Sequence, residues 1–214
     1  SGMAAISTAL LAILKAGDHI ASAADVYGGT RNLFGILERM GIAVTYFNIE
    51  DPDGAKAAIR PETRVLYFET PTNPTLRVVD IEVLCRIAGS AGVTTVIDNT
   101  FATPLLQQPL KLGADIVIHS ATKSLAGHDD VTAGVIAGSG AAIQRCREVM
   151  KWMGCCLDPH AAWLLERGLK TLGLRTTRQS ENALRLSRWL STRSEVVRVH
   201  YPGLEVHPGH EIAR

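Results

Sequence analysis

DIVIHSATKS, the stretch at residues 115–124, joins an apolar run to a polar run that contains a lysine. Residues 115–119 are almost continuously apolar, as expected for a strand that is buried on both faces of a parallel sheet. Ser120, Thr122 and Lys123 follow directly. They therefore fall at the carboxyl end of the strand, where open α/β sheets bind their ligands. The stretch predicts a buried strand that leads into a ligand site.

Strand and helix patterns alternate on both sides of this stretch. Apolar runs suited to buried strands are separated by runs of helical periodicity, some of which begin at capping residues such as Asp80. This alternation predicts an α/β fold with a mostly parallel sheet and helices on both faces. The predicted strands are residues 19–24, 42–47, 64–68, 93–97, 115–119 and 132–137, and the predicted helices are residues 1–16, 30–40, 52–59 and 80–91.

After Gly138 the pattern becomes mostly helical. Helices are predicted at residues 141–153, 159–171 and 174–190, followed by a strand at 196–200. The last of these helices carries many arginines, and we expect it to connect two domains. We therefore assign residues 1–172 to a large ligand-binding domain and residues 173–214 to the connecting helix and the start of a smaller C-terminal α/β domain. Because the sequence lacks an initial methionine and ends in a helical run, we expect a fragment in which both domains are truncated.

The composition argues against several classes of protein. The net charge of +1 provides no general electrostatic attraction for nucleic acid. No apolar run is long enough to span a membrane. The cysteines have no zinc-ligand spacing, and His119, His128 and His160 are interpreted as structural residues. We expect a cytoplasmic protein with reduced thiols, no bound metal, and neither nucleic acid nor membrane as a partner.

The lysine and an aspartate further upstream have the chemistry of one cofactor site. Lys123 can form a Schiff base with an aldehyde, and Asp98, at the end of another apolar run, can keep a pyridinium nitrogen protonated. The hydroxyls of Ser120 and Thr122 can bind a phosphate beside the lysine. Together these groups predict a site for pyridoxal 5'-phosphate, PLP. The alternatives are a solvated lysine, an aspartate that caps a turn, and hydroxyls that cap the next turn.

Four more residues extend this hypothesis. Gly2 and Met3 open the first predicted helix, whose free N–H groups attract anions, although an ordinary serine cap is the alternative. Tyr27 can stack on a cofactor ring and transfer protons, or it can simply pack. Asn73 lies between two prolines and either forms a turn or binds the phenolic oxygen of the cofactor.

Seven segments carry a resemblance to a known family. The sequence resembles the cysteine/methionine-metabolism family of PLP enzymes, whose members include cystathionine γ-synthase, cystathionine γ-lyase, methionine γ-lyase and O-acylhomoserine sulfhydrylases. The segments are SGMAAI at 1–6, DVYGGT at 25–30, ETPTNP at 69–74, DNTFATP at 98–104, LGADIVIHSATKSLAGHDDV at 112–131, DPHAAWLLERGLKTLGLR at 158–175 and YPGLEVHPGHEIA at 201–213.

The resemblance implies a type I PLP transferase fold and a role for each residue of the site. The implied catalytic residues are Lys123, which forms the Schiff base, Asp98 on the pyridine nitrogen and Tyr27 over the ring. The remaining implied contacts are the Gly2 and Met3 amides, Ser120 and Thr122 on the phosphate, Asn73 on the phenolic oxygen and Thr100 on the other face of the ring.

The resemblance also implies an activity and an assembly. We expect γ-replacement or γ-elimination on sulfur amino acids or O-acylhomoserine, as in cystathionine γ-synthase or γ-lyase, in a homotetramer built as a dimer of dimers. The alternatives are a methionine γ-lyase, an O-acylhomoserine sulfhydrylase or a catalytically incomplete fragment that binds the cofactor. Methionine γ-lyases usually carry cysteine at the position of Gly29, which argues against that alternative. The matching family chains are about twice as long, and their substrate-binding arginine lies beyond Arg214.

Overall fold

The computed structural model describes all 214 residues and contains one six-stranded sheet. The strand order is β2-β1-β3-β4-β5-β6, and every neighbouring pair is parallel except β5 and β6, which are antiparallel. The prediction of a mostly parallel sheet is therefore confirmed. The strands are His19–Ala23 (β1), Ala43–Phe47 (β2), Thr63–Glu69 (β3), Thr94–Asp98 (β4), Ile116–Ser120 (β5) and Gly134–Gly138 (β6).

Five of the nine α-helices begin directly after a residue whose side chain caps them. Ser1, Asp51, Asp80, Ser139 and Asp158 each accept a backbone N–H from the first turn of the helix that follows. The helices are Gly2–Leu11 (α1), Gly28–Arg39 (α2), Pro52–Ala57 (α3), Ile81–Ser90 (α4), Thr103–Leu106 (α5), Gly140–Met153 (α6), Pro159–Leu169 (α7), Leu172–Leu190 (α8) and His210–Ala213 (α9), with a 3₁₀ turn at Pro109–Leu112.

The apolar core lies along the central strands. All five residues of β1 are buried, which requires that both faces of the sheet are covered. Tyr67 of β3 and Phe34 of α2 are fully buried and meet edge to face, with ring centroids 5.4 Å apart. Helix α1 packs against β5, β6 and α6. This packing holds the start of α1 beside the end of β5, where Ser120 lies.

Two sequence predictions were wrong. The strand expected at residues 196–200 does not form: the segment has no regular secondary structure, and Val197 is fully exposed. A strand needs a neighbouring edge for its backbone groups, and no strand borders this segment. The helix expected to reach residue 16 ends at Leu11, and turns fill the gap to β1.

The last strand is the antiparallel member of the mostly parallel sheet. Strand β6 follows β5 without a crossover helix, so it returns antiparallel to its neighbour. Its residues are only half-buried, as suits a strand on the edge of the sheet. The proposed division into residues 1–172 and 173–214 stays a prediction.

Candidate active site

Three parallel strands end side by side and form the floor of a cavity of about 310 Å³. Glu69 at the end of β3 is in register with Asp98 at the end of β4, and β5 ends next to them at Ser120. The cavity therefore opens at the carboxyl edge of the sheet, which is where the sequence predicts the site. The cavity is lined by all nine predicted residues, namely Gly2, Met3, Tyr27, Asn73, Asp98, Thr100, Ser120, Thr122 and Lys123.

Asp98 is a buried carboxyl beside a backbone donor. The N–H of Thr100 donates to its Oδ1 at 2.9 Å. Burial raises the pKa of Asp98, and the hydrogen bonds from Thr100 oppose that rise. A carboxylate in this position is stabilised most by a cation placed against it. A protonated pyridine ring supplies such a cation.

The start of α1 approaches the sheet so closely that only glycine fits. A Cβ atom built on Gly2 would lie 2.6 Å from the Cβ of Ser120. The Ser1 hydroxyl already accepts the N–H of Ala4 at 3.1 Å, so the cap uses one of the free donors of the first turn. The N–H groups of Gly2 and Met3 remain without helical partners. They form an anion cradle beside the Ser120 hydroxyl, which suits a phosphate.

Hydrogen bonds between neighbouring loops fix the turn that follows β5. The N–H of Ser120 donates to Oγ1 of Thr100 at 2.7 Å, and the N–H of Lys123 donates to the Ser120 carbonyl at 3.2 Å. The Thr122 hydroxyl donates to the carbonyl of Ala133 at 3.2 Å and accepts its N–H at 3.1 Å. Thr122 would have to exchange its donor bond to the Ala133 carbonyl for a phosphate oxygen, so its predicted role is the least direct of the set.

The side chains on the outer side of the cavity are exposed to solvent. Lys123 and Asn73 are exposed, and Tyr27 is 50% exposed. None of the ion pairs in the structure involves Lys123, so its amine is available for a ligand. A Cβ built on Gly29 would lie 2.6 Å from Cε1 of Tyr27, which ties the residue at position 29 to the placement of that ring.

One acidic side chain that lines the cavity was missed by the sequence reasoning. Glu69 is buried, and its Oε1 has no hydrogen-bond partner. Burial and the charge of Asp98 raise its pKa to about 8. The available signal was the position of Glu69 at the end of a predicted strand, in the segment that also contains Asn73. Phe101 also lines the cavity without having been assigned there.

The donor set fits PLP. It combines a buried carboxylate for the ring, a helix start with a hydroxyl for the phosphate and an unpaired lysine amine for the aldehyde. The model of the family described as "Cys/Met metabolism PLP-dependent enzyme" matches residues 1–214. The chain belongs to this family. The expected cofactor and the type I fold are thereby confirmed.

Relatives with different reactions match the whole chain. Cystathionine beta-lyase of Lactococcus lactis subsp. cremoris (strain MG1363) is 47% identical over 216 residues, which cover all of this chain and 57% of the relative. Cystathionine gamma-lyase of Bacillus subtilis (strain 168) is 45% identical over 216 residues, with the same coverage. L-methionine gamma-lyase of Fusobacterium nucleatum subsp. polymorphum is 46% identical over 218 residues and is covered to 55%. The chain thus spans little more than half the length of these relatives.

Two solved structures have the same fold. They are metB from Corynebacterium glutamicum, at 41% identity, and cystathionine gamma-lyase from Lactobacillus plantarum complexed with L-serine, at 40%. Each superposes with a TM-score of 0.97 over all of this chain and 56% of the other. No helix of the present structure combines the length and apolarity needed to cross a membrane. It also contains no group of three or more His, Cys, Asp or Glu side chains arranged to hold a metal.

Proposed function

We propose that the protein containing this chain is a PLP-dependent enzyme of transsulfuration. Its reaction is γ-elimination or γ-replacement on a sulfur amino acid or O-acylhomoserine, of the cystathionine γ-lyase or γ-synthase type. One observation carries the proposal: the unpaired amine of Lys123, the buried carboxyl of Asp98 and the anion cradle at the start of α1 share one cavity. Membership of the family supports this interpretation.

Each lining residue has a task in holding the cofactor. The Gly2 and Met3 amides, with the Ser120 and Thr122 hydroxyls, would bind the phosphate; Asn73 would bind the phenolic oxygen, and Tyr27 and Thr100 would lie on the two faces of the ring. Asp98 would hold the proton on the ring nitrogen. When bound, the cofactor supplies an electron sink for charge that develops on the substrate carbon.

Lys123 and Tyr27 are the groups that can move protons. The Lys123 amine makes no ion pair and has an exposed side chain, so its Nζ can take a proton from a substrate carbon and return one to a neighbouring atom. Tyr27 is half-exposed, and its hydroxyl would act at the side of the cavity open to solvent. The hydrogen bond from Thr100 holds the Asp98 carboxyl in place, and its charge would stabilise a protonated ring nitrogen.

A β-elimination is the second candidate. Two relatives at 47% identity are named cystathionine beta-lyase, and the same cavity can serve removal of a β-substituent. Methionine γ-lyase, O-acylhomoserine sulfhydrylase and an incomplete cofactor-binding fragment remain alternatives. Gly29 still argues against the first of these three.

We also propose a homotetramer that works in the cytoplasm. Large apolar side chains are exposed on the helices after the sheet, including Trp152 at 85% and Leu174 at 78%, and an interface between copies would cover them. All four cysteines are free thiols, as is usual in a reducing compartment. Sedimentation of the full-length protein tests the assembly, and a fully active monomer would rule it out.

Steady-state assays separate the candidate reactions. The full-length protein would be supplied with cystathionine, with methionine, and with an O-acylhomoserine plus cysteine, and the keto acids and thiols formed would be identified. We expect 2-oxobutanoate from cystathionine, or cystathionine from the acylhomoserine. Pyruvate and homocysteine from cystathionine would establish β-elimination instead. Absence of turnover with all substrates would reject the proposed function.

A further inference from the structure

Two carboxyl groups lie side by side at the bottom of the cavity. Glu69 and Asp98 are partners in the parallel register of β3 and β4, so their side chains leave the sheet on the same face. Their relative exposures are 6% and 8%, and both line the cavity. Two carboxylates buried side by side repel each other. Such a pair therefore tends to keep one proton between its two carboxyl groups.

The hydrogen bonds indicate which of the two carboxyls keeps the proton. Asp98 accepts the N–H of Thr100, which stabilises its charged form. Oε1 of Glu69 is buried and has no donor. An ionised oxygen without a partner is costly in this position, whereas a protonated carboxyl carries no net charge. The proton is therefore expected on Glu69 and the negative charge on Asp98.

The charged groups around Glu69 favour the same distribution. Asp98 and Asp25 both disfavour a negative charge on Glu69, although Arg77 forms an ion pair with Asp25 at 3.3 Å. Lys123 faces the same cavity, but its side chain is exposed. Burial and the negative charges of Asp98 and Asp25 raise the pKa of Glu69 to about 8.

The backbone and the neighbouring phenols complete the surroundings. The backbone N–H groups of Asn73 and Tyr27 lie close enough to the Glu69 carboxyl to favour its charged form, but neither donates to Oε1, and they do not offset burial. Tyr67, two residues earlier on the same strand, is fully buried, and burial raises its pKa well above the ordinary value, so it remains uncharged. The Tyr27 ring lines the same cavity from its open side.

Resting on the proposed function, we propose that Glu69 is a positioning residue that stays protonated beside Asp98, so that the two carboxyls present one negative charge to the ring of the cofactor. One charge matches one protonated ring nitrogen. A second negative charge would lie near the phosphate and the phenolic oxygen, which are both anionic. Glu69 thus acts through Asp98, and its ionisation should limit the alkaline range of the site.

Infrared difference spectroscopy of the 214-residue chain without cofactor tests the proton directly. We expect a protonated carboxyl band at neutral pH that Glu69→Gln removes and that disappears as the pH passes about 8. Glu62→Gln, a change at an exposed glutamate, should leave the band intact. Asp98→Asn should move its midpoint to lower pH, because the neighbouring charge is lost. A band missing from the wild type at neutral pH, or a midpoint that Asp98→Asn leaves unchanged, would overturn the inference.

Cofactor titrations separate this inference from the proposed function. Glu69→Gln keeps the shape of the neutral acid, so its Kd for PLP at neutral pH should stay within about threefold of the wild type. The absorbance of bound PLP should show an alkaline transition in the wild type that Glu69→Gln lacks. Identical absorbance titrations in the two chains would overturn the positioning role. Failure of the wild type to bind PLP would reject the proposed function, whatever the infrared band shows.

Discussion

Gly2 is a residue at which a single added methyl group should damage the site. Its missing side chain lets the start of α1 lie against β5, and a Cβ added there would be 2.6 Å from the Cβ of Ser120 and 2.8 Å from its Oγ. Carbon atoms in contact prefer about 3.5–4.0 Å. The Gly2→Ala chain must therefore move the helix start away from Ser120 by about 1 Å.

The expected cost follows from that displacement. Overpacking of a well-packed position costs about 1–3 kcal/mol. The N–H groups of Gly2 and Met3 move with the helix start, so the phosphate loses alignment with both. If the binding free energy of PLP is weakened by the same amount, the Kd for PLP should rise by roughly fivefold to 150-fold.

The assay compares two glycines that each begin a helix. Gly140 is the first residue of α6, and a Cβ built there meets nothing within 4 Å. Gly140→Ala should therefore leave both chemical denaturation and PLP binding near the wild type, whereas Gly2→Ala should weaken both. Equal PLP affinities for the two variants would refute the assignment of the phosphate cradle to the start of α1.

Three further predictions address the ring, its outer face and the pH range. Asp98→Asn in the full-length enzyme should weaken PLP binding by about 1.5–3 kcal/mol and nearly abolish turnover; near-normal kcat would mean that Asp98 is only structural. Gly29→Ala should push the Tyr27 ring aside and raise the Kd for PLP by roughly threefold to tenfold. A Cβ at Gly28 meets nothing within 4 Å, so Gly28→Ala should leave the Kd unchanged. Equal changes in Kd for the two variants would contradict the close contact between position 29 and the Tyr27 ring. Burial lowers the pKa of His119 from 6.5 to about 4. As the pH is lowered, the imidazole of His119 therefore takes up a proton in the unfolded chain before it does so in the folded chain. The free energy of unfolding should fall as the pH drops from 6.5 to 4. If a His119→Gln chain lost stability equally steeply over this range, His119 would not be the cause.

The site at the strand ends could be predicted because its polar residues directly follow apolar runs in the sequence. Ser120, Thr122 and Lys123 follow one apolar run and Asp98 ends another, so the rule for open α/β sheets brings them together. The capping role of Asp80 could be predicted for the same reason, because it depends on the next three residues only.

Features that depend on distant neighbours could not be predicted. Residues 196–200 have the composition of a strand, but strand formation requires a partner edge that the sequence does not reveal. The proton on Glu69 depends on a register with Asp98 that joins positions far apart in the chain. The clash that requires glycine at position 2 depends likewise on the packing of α1 against β5.

Borohydride reduction in the presence of PLP, followed by peptide mapping, tests the central claim most directly. Lys123 is the lysine that lines the cavity, and it makes no ion pair, so the reduced pyridoxyl group should be recovered on the peptide that contains it. A Lys123→Ala chain should take up none, and its fold should persist because the replaced side chain is exposed. Recovery of the pyridoxyl group at another lysine in the wild-type chain would contradict the account.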